Sequence, residues 1–250
     1  MEKLSFVILM GQIICSILSF LGVFLKKNKI ILWFSTISFV LAIFLPIFLS
    51  IYTKNTIFQT EFGTKMWFCF FVMLFVWLVY FKQKQSSVLL IGNIICICFI
   101  FSNLLRNTTF HQEMPPALQS PWFLPHVCTY MIAYAMLGIN AICSIIFLIK
   151  KNYSFDFQEK INKIGLYFLC SAMFMGALWA KTIWANFWTW DTKEVFALIS
   201  IILYTLLAIN FNPNKKIIHI LNIFAFCCLL FTWFGVKYLT IIGQSLHIYG

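Results

Sequence analysis

Residues 127–149, VCTYMIAYAMLGINAICSIIFLI, run for 23 positions without one charged side chain. At about 1.5 Å of rise per residue such a helix covers about 34 Å, enough to cross a hydrocarbon core about 30 Å thick. On its amino side stand His126 and a 20-residue break, 106–125, which holds four of the six prolines, Pro115, Pro116, Pro121 and Pro125. Proline at that density excludes a helix and stiffens the segment. On its carboxyl side a charged connection, 150–163, leads to another apolar run, 164–178. The pattern repeats outward: 4–25, 30–51 (with Pro46 as an expected kink), 66–81 and 88–105 before the break, 195–211 and 217–236 after it. A signal peptide is a poor account of 4–25, because the run is too long and no small-x-small cleavage site follows. The reading is an all-α polytopic membrane bundle of about eight transmembrane helices, one membrane domain over 1–250.

Composition agrees: 62% of residues are apolar and 10% charged, against roughly 25% charged in soluble domains, with a mean hydropathy of +0.92. The formal charge of +11 does not point to nucleic acid, since the lysines lie in short runs between apolar segments, where they orient helices. Alternate connections carry eleven Lys and Arg on one side and seven on the other. Both termini are therefore expected on the extracytoplasmic side, together with the proline loop and His126, the aromatic stretch described next, and a tail, 237–250, with His247. None of the nine cysteines forms a C-x-x-C pair or a C-x-x-C-H haem attachment site, which argues against a thiol-disulfide carrier and against a c-type cytochrome. The apolar runs contain no Asp, Glu, Lys or Arg, which argues against a pump needing an intramembrane charge relay.

Between the sixth and seventh runs lies Trp184-Ala185-Asn186-Phe187-Trp188-Thr189-Trp190-Asp191-Thr192-Lys193-Glu194. An interfacial belt explains one or two such rings. Three tryptophans and a phenylalanine within seven residues fit better with a flat aromatic surface for a planar ligand, hemmed by charge. On a helix, Trp184, Phe187 and Trp188 would share one face and Trp190 another. Histidine is scarce: His111, His126, His219 and His247. His111 reads as loop, and His219, at the cytoplasmic start of the last span, as interfacial or as a ligand elsewhere. His126 and His247 bracket the platform, and paired imidazoles are natural axial ligands of haem iron. Asp191 and Glu194 flank Lys193 and can pair with it or with Lys181; a functional reading gives Asp191 a hydrogen-bond role in orienting the loop. Neither has a nucleophile or metal-binding partner at recognisable spacing, so hydrolase chemistry has no support.

Trp-x-x-x-Trp-x-Trp-Asp-x-Lys-Glu ahead of an apolar helix resembles the tryptophan-rich "WWD" signature of the cytochrome c assembly haem-handling proteins, in the CcsA (ResC) branch of System II. The blocks Pro116-Ala117-Leu118-Gln119-Ser120-Pro121-Trp122-Phe123-Leu124-Pro125-His126 and Ser245-Leu246-His247-Ile248-Tyr249-Gly250 resemble the segments around that family's two external histidines. The likeness covers about 115–250, with the tryptophan-rich loop at 179–194. It implies haem b held outside the membrane by Trp184, Phe187, Trp188, Trp190 and Asp191, with His126 and His247 on its iron. It also implies a subunit of a cytochrome c haem lyase complex in a bacterial cytoplasmic (inner) membrane, working with a CcsB (ResB) type membrane partner on the Cys-x-x-Cys-His thiols of apocytochrome c, with no role for nucleic acid. A CcmC-type haem translocator or chaperone without bond formation, and a non-haem transporter, are the alternatives. Three positions depart from the family pattern. Ala185 stands where Gly is usual, Thr192 where Pro is usual, and Leu207-Ala208-Ile209-Asn210 where an intramembrane histidine is usual. His219 is the remaining candidate for a separate haem uptake site, alone or with a partner's histidine.

Overall fold

In lipid a backbone N–H or C=O has no partner but another backbone group, so an apolar chain of this kind closes its hydrogen bonds within helices. The computed structural model describes residues 2–54, 57–106, 116–150, 155–209 and 214–235. Eight α-helices account for nearly all of them: α1 Glu2–Phe24, α2 Asn28–Thr53, α3 Glu61–Gln83, α4 Ser87–Leu105, α5 Phe123–Lys150, α6 Phe155–Trp184, α7 Thr192–Ala208 and α8 Lys215–Leu230. No strand occurs among the described residues. Seven of these helices are long and apolar enough to cross a membrane; α7, at 17 residues, is the short one. Large apolar side chains such as Phe24, Trp33, Tyr167 and Phe174 are exposed along them. In water such surfaces would aggregate, whereas lipid tails solvate them. The protein is an all-α polytopic membrane protein.

The helices overrun the apolar segments that mark them. α3 starts at Glu61, not at 66, and α6 spans Phe155–Trp184, not 164–178. α5 starts at Phe123, which puts Pro125 in its first turn, where a missing N–H costs nothing, and places His126 inside the helix instead of ahead of it. α2 continues through Pro46. Hydropathy reports the length facing lipid, while capping and pairing set where hydrogen bonding stops. Thr60 caps α3 by accepting from the Gly63 N–H at 3.0 Å. The buried Lys65 in its second turn is paired with Glu61 at 2.8 Å and donates to Ser102 Oγ at 3.1 Å, so the overrun leaves no bare charge.

The chain forms two compact units, Met1–Met114 and Pro115–Gly250. In the first, helices α1 to α4 are joined by buried polar contacts. Asn93 Nδ2 donates to Ser19 Oγ and Ser35 Oγ, each at 2.9 Å, and Ser16 Oγ meets Ser38 Oγ at 3.0 Å. Between helices in a bilayer each such bond is worth about 0.5–2 kcal/mol. In the second unit α5 runs antiparallel to α6 and to α8. His126 meets Ala172 and Asn140 meets Asn162 along one pair; Tyr134 meets Leu229 and Ser144 meets Asn222 along the other. Phe196 packs on Phe231 at 4.2 Å and ties α7 to the end of α8. One end of the second unit therefore collects the start of α5, the end of α6 and the start of α7. The other collects the end of α5 and the starts of α6 and α8.

Candidate functional site

The first of these ends is built around His126. Its Nδ1 lies 2.8 Å from the Ala172 carbonyl oxygen on α6. A carbonyl only accepts, so Nδ1 carries the hydrogen and the ring's lone pair sits on Nε2, the arrangement that orients imidazoles toward iron. The ring stacks on Trp179 with centroids 5.7 Å apart and planes 22° apart, and takes Tyr130 edge-on at 5.0 Å. Gly176 completes the slot. A Cβ there would come within 2.5 Å of the His126 Cε1 and 2.7 Å of Nδ1, so only glycine admits the ring. Ala172, Gly176 and Trp179 follow one another at i, i+4 and i+7, a single stripe of α6 that grips one side chain of α5.

Trp179 is buried, with 2% exposure, and its Nε1–H donates to the Ala117 carbonyl at 2.9 Å. That bond fixes the short 3-10 turn Pro116–Gln119 against the last turns of α6, as does Ser120 Oγ against Thr182 Oγ1 at 3.0 Å. Trp184 meets Trp179 edge to face at 5.0 Å and 68°, and Trp188 meets Trp190 at 5.9 Å and 86°. The rings therefore do not lie in one flat surface, as the sequence suggested. They form edge-to-face pairs, the geometry that the ring quadrupole favours.

The tryptophan-rich segment expected at 179–194 is helix as far as Trp184, loop over 185–191 and helix again from Thr192. Two residues make the loop possible. Ala185 ends α6 with φ 59° and Trp190 precedes α7 with φ 60°, both left-handed. Ala185 thus occupies, without glycine, the conformation for which glycine is suited, at a cost of about 1 kcal/mol. Lys181 Nζ donates to the Ala185 carbonyl at 2.8 Å and lies 5.2 Å above the Phe187 ring. Asp191 is the N-cap of α7, its Oδ1 accepting from the Lys193 N–H at 2.8 Å. Glu194 is buried, and its Oε2 accepts from the N–H groups of Asp191 at 3.1 Å and Thr189 at 2.8 Å. Phe187 and Trp190 remain exposed, at 54% and 71%. Trp188 Nε1 is enclosed and has no hydrogen-bond partner among the described residues.

At the opposite end His219 is buried in α8, at 1% exposure, and is not a hydrated interfacial residue. Its Nδ1 is 3.1 Å from Ser144 Oγ, which also accepts from Asn222 Nδ2 at 2.8 Å, and Phe147 packs on its ring at 4.0 Å. A cleft of about 240 Å³, counting the space at its mouth, is lined by Gln158, Asn162, Leu207, His219 and Asn222. Its enclosed part is only about 10 Å³, no more than a water molecule needs. Leu207, the first of the four residues in the region where a histidine is usual, faces the same cleft as His219. From His126 to Ser144, the contact of His219, α5 advances 18 residues, about 27 Å, so the two histidines cannot share an iron.

Of the expected site residues the structure brings His126 and Trp184 together through Trp179, and sets Phe187, Trp188, Trp190 and Asp191 on the adjoining loop. His247 and His111 lie outside the described residues. Trp179 and Gly176 do not stand out in the sequence, and Glu194 stands there only as a partner for a lysine. Two signals were there to find: the i, i+4, i+7 stripe on α6, and the Asp191-x-x-Glu194 spacing of a capping box.

Comparison with known proteins gives a match to the family model described as cytochrome C assembly protein over residues 4–243. The chain is similar to a cytochrome c biogenesis protein CcsA of Chlamydomonas reinhardtii, 32% identical over 186 residues, covering 64% of this chain and 51% of that one. It is 26% identical to CcsA of Oenothera biennis over 228 residues, covering 68% and 70% respectively. It is 27% identical over 144 residues to the protein NrfI of Wolinella succinogenes, covering 50% of this chain and 16% of that one. The match thus spans about half the length of the Chlamydomonas relative.

Proposed function

The chain belongs to the cytochrome c assembly protein family, and on that footing we propose that it is the haem-handling subunit of a cytochrome c synthetase, presenting haem b for attachment to apocytochrome c. The observation that carries the reading is the setting of His126. Its ring is gripped by Ala172, Gly176 and Trp179 of α6, and its Nδ1–H donates to the Ala172 carbonyl, which puts the ring's lone pair on Nε2, the atom proposed to bind iron. The neighbouring loop fits the rest of a porphyrin. Phe187 and Trp190 offer exposed rings, and the enclosed Trp188 N–H is a donor suited to a carboxylate or carbonyl oxygen. His247 is the proposed second axial ligand. When bound, haem supplies the vinyl groups that accept the two thiols of a Cys-x-x-Cys-His segment. The work of this chain is to hold that haem still and leave an edge open.

The side of the membrane follows from the lysine count: the His126 end is extracytoplasmic, the His219 end cytoplasmic, and both termini lie outside. The proposed partner is a CcsB-type membrane protein, with apocytochrome c as the acceptor. A visible spectrum of the full chain purified in detergent tests the core of the reading. A low-spin spectrum of two-imidazole type at close to one haem per chain is expected. A colourless protein that also fails to take up added hemin overturns it.

A further inference from the structure

We propose that Glu194 is a positioning residue for Trp190. Its buried carboxylate forces the left-handed backbone that turns the Trp190 indole outward, and so decides whether the loop offers a ring to its ligand. The inference rests on the haem reading of the loop and adds to it a residue that touches no ligand.

An ordinary capping box explains part of the geometry. There a glutamate at the third helical position takes the N–H of the N-cap residue, as Glu194 Oε2 does with Asp191 at 3.1 Å. It does not explain the rest. The same oxygen also accepts from the Thr189 N–H at 2.8 Å and from Thr189 Oγ1 at 3.3 Å, two residues further back. Thr189 and Asp191 flank Trp190, so one atom ties the chain on both sides of it. With both flanks drawn to one point, the peptide between them must fold back, and Trp190 sits at φ 60°. A bulky residue does not choose that conformation unaided. Its indole is consequently 71% exposed, while the carboxylate that holds it belongs to a residue only 9% exposed.

The test uses the full-length chain carrying 5-fluorotryptophan, with the resonance of residue 190 assigned through Trp190→Phe. Its broadening by a soluble paramagnetic chelate is compared among wild type, Glu194→Gln and Glu194→Ala, and hemin affinity is measured on the same samples. In Glu194→Ala the broadening should change at least twofold and hemin affinity should fall about tenfold, the size of one charge-assisted hydrogen-bond set. Glu194→Gln, which keeps an acceptor oxygen without the charge, should fall between, and it serves if the alanine variant does not fold. In a Trp190→Ala background the further loss on Glu194→Ala should be under about threefold, because the ring through which Glu194 acts is gone. An unmoved Trp190 resonance in both variants, or a full tenfold loss in the Trp190→Ala background, overturns the proposal. If wild type binds no hemin, the haem reading of the loop fails, while the fluorine signal still decides whether Glu194 sets Trp190.

Discussion

His126 and His219 stand at opposite ends of the same helical unit, and the contrast between them shows what makes an imidazole ready to bind. His126 faces a backbone carbonyl, which can only accept, so its tautomer is fixed. His219 faces the Ser144 hydroxyl, which can donate or accept, so the proton can sit on either nitrogen. Around His126 the neighbours are aromatic and partly open, with a loop of exposed rings beside it. Around His219 they are buried amides, a hydroxyl and the ring of Phe147 over a narrow cleft. In the proposed function the first histidine meets a large planar partner as it stands, and the second must see its surroundings open before it meets one.

The sharpest way to break this contrast is Gly176→Ala. The added methyl occupies the place of the His126 ring, and displacing a hydrogen-bonded ligand ring costs about 10- to 100-fold in affinity. Hemin titration of the purified variant should show that loss. Helix propensity favours alanine by about 1 kcal/mol while the clash costs about 1–3 kcal/mol, so the affinities are compared on samples whose thermal unfolding shows them folded. Unchanged affinity would mean that the slot does not define the site.

Trp190→Ala should come next, with haem occupancy reduced about two- to tenfold, the size of one aromatic contact. Trp33→Ala, at an exposed ring on α2, should leave occupancy as it is. Equal occupancy in the two variants, at matched protein level, would reduce the loop to an interfacial belt.

Much of this was legible in the chain. The charge-free runs fix the number and order of the helices, because lipid admits little else. The clustered tryptophans and the position of His126 mark the candidate site. Where the helices stop was less legible: α6 and α3 continue past their apolar stretches because caps and ion pairs, such as Lys65 with Glu61, support polar turns that hydropathy discounts. Trp179 is inconspicuous in the sequence because it sits just ahead of the dense cluster, although it is the ring that His126 touches. The flat platform did not materialise, because two left-handed residues, Ala185 and Trp190, break what helical spacing assumes is continuous.

The smallest effect belongs to His219, proposed as part of a haem uptake site on the far side of the membrane. His219→Ala should slow haem loading of the complex about two- to threefold, under 1 kcal/mol, and leave the spectrum of the loaded fraction unchanged. A reporter fused at Asn214, at the start of α8, should report the cytoplasm, and one at Gln112 the outside. Normal loading would leave His219 a structural partner of Ser144, and reversed reporters would exchange the roles of the two ends.

In the proposed function His126 binds haem iron through Nε2. The most direct measurement is the visible and electron paramagnetic resonance spectrum of purified His126→Ala, with and without added imidazole. Loss of the low-spin signal and its partial return on adding imidazole is the predicted result. A variant whose spectrum matches wild type without imidazole would contradict it.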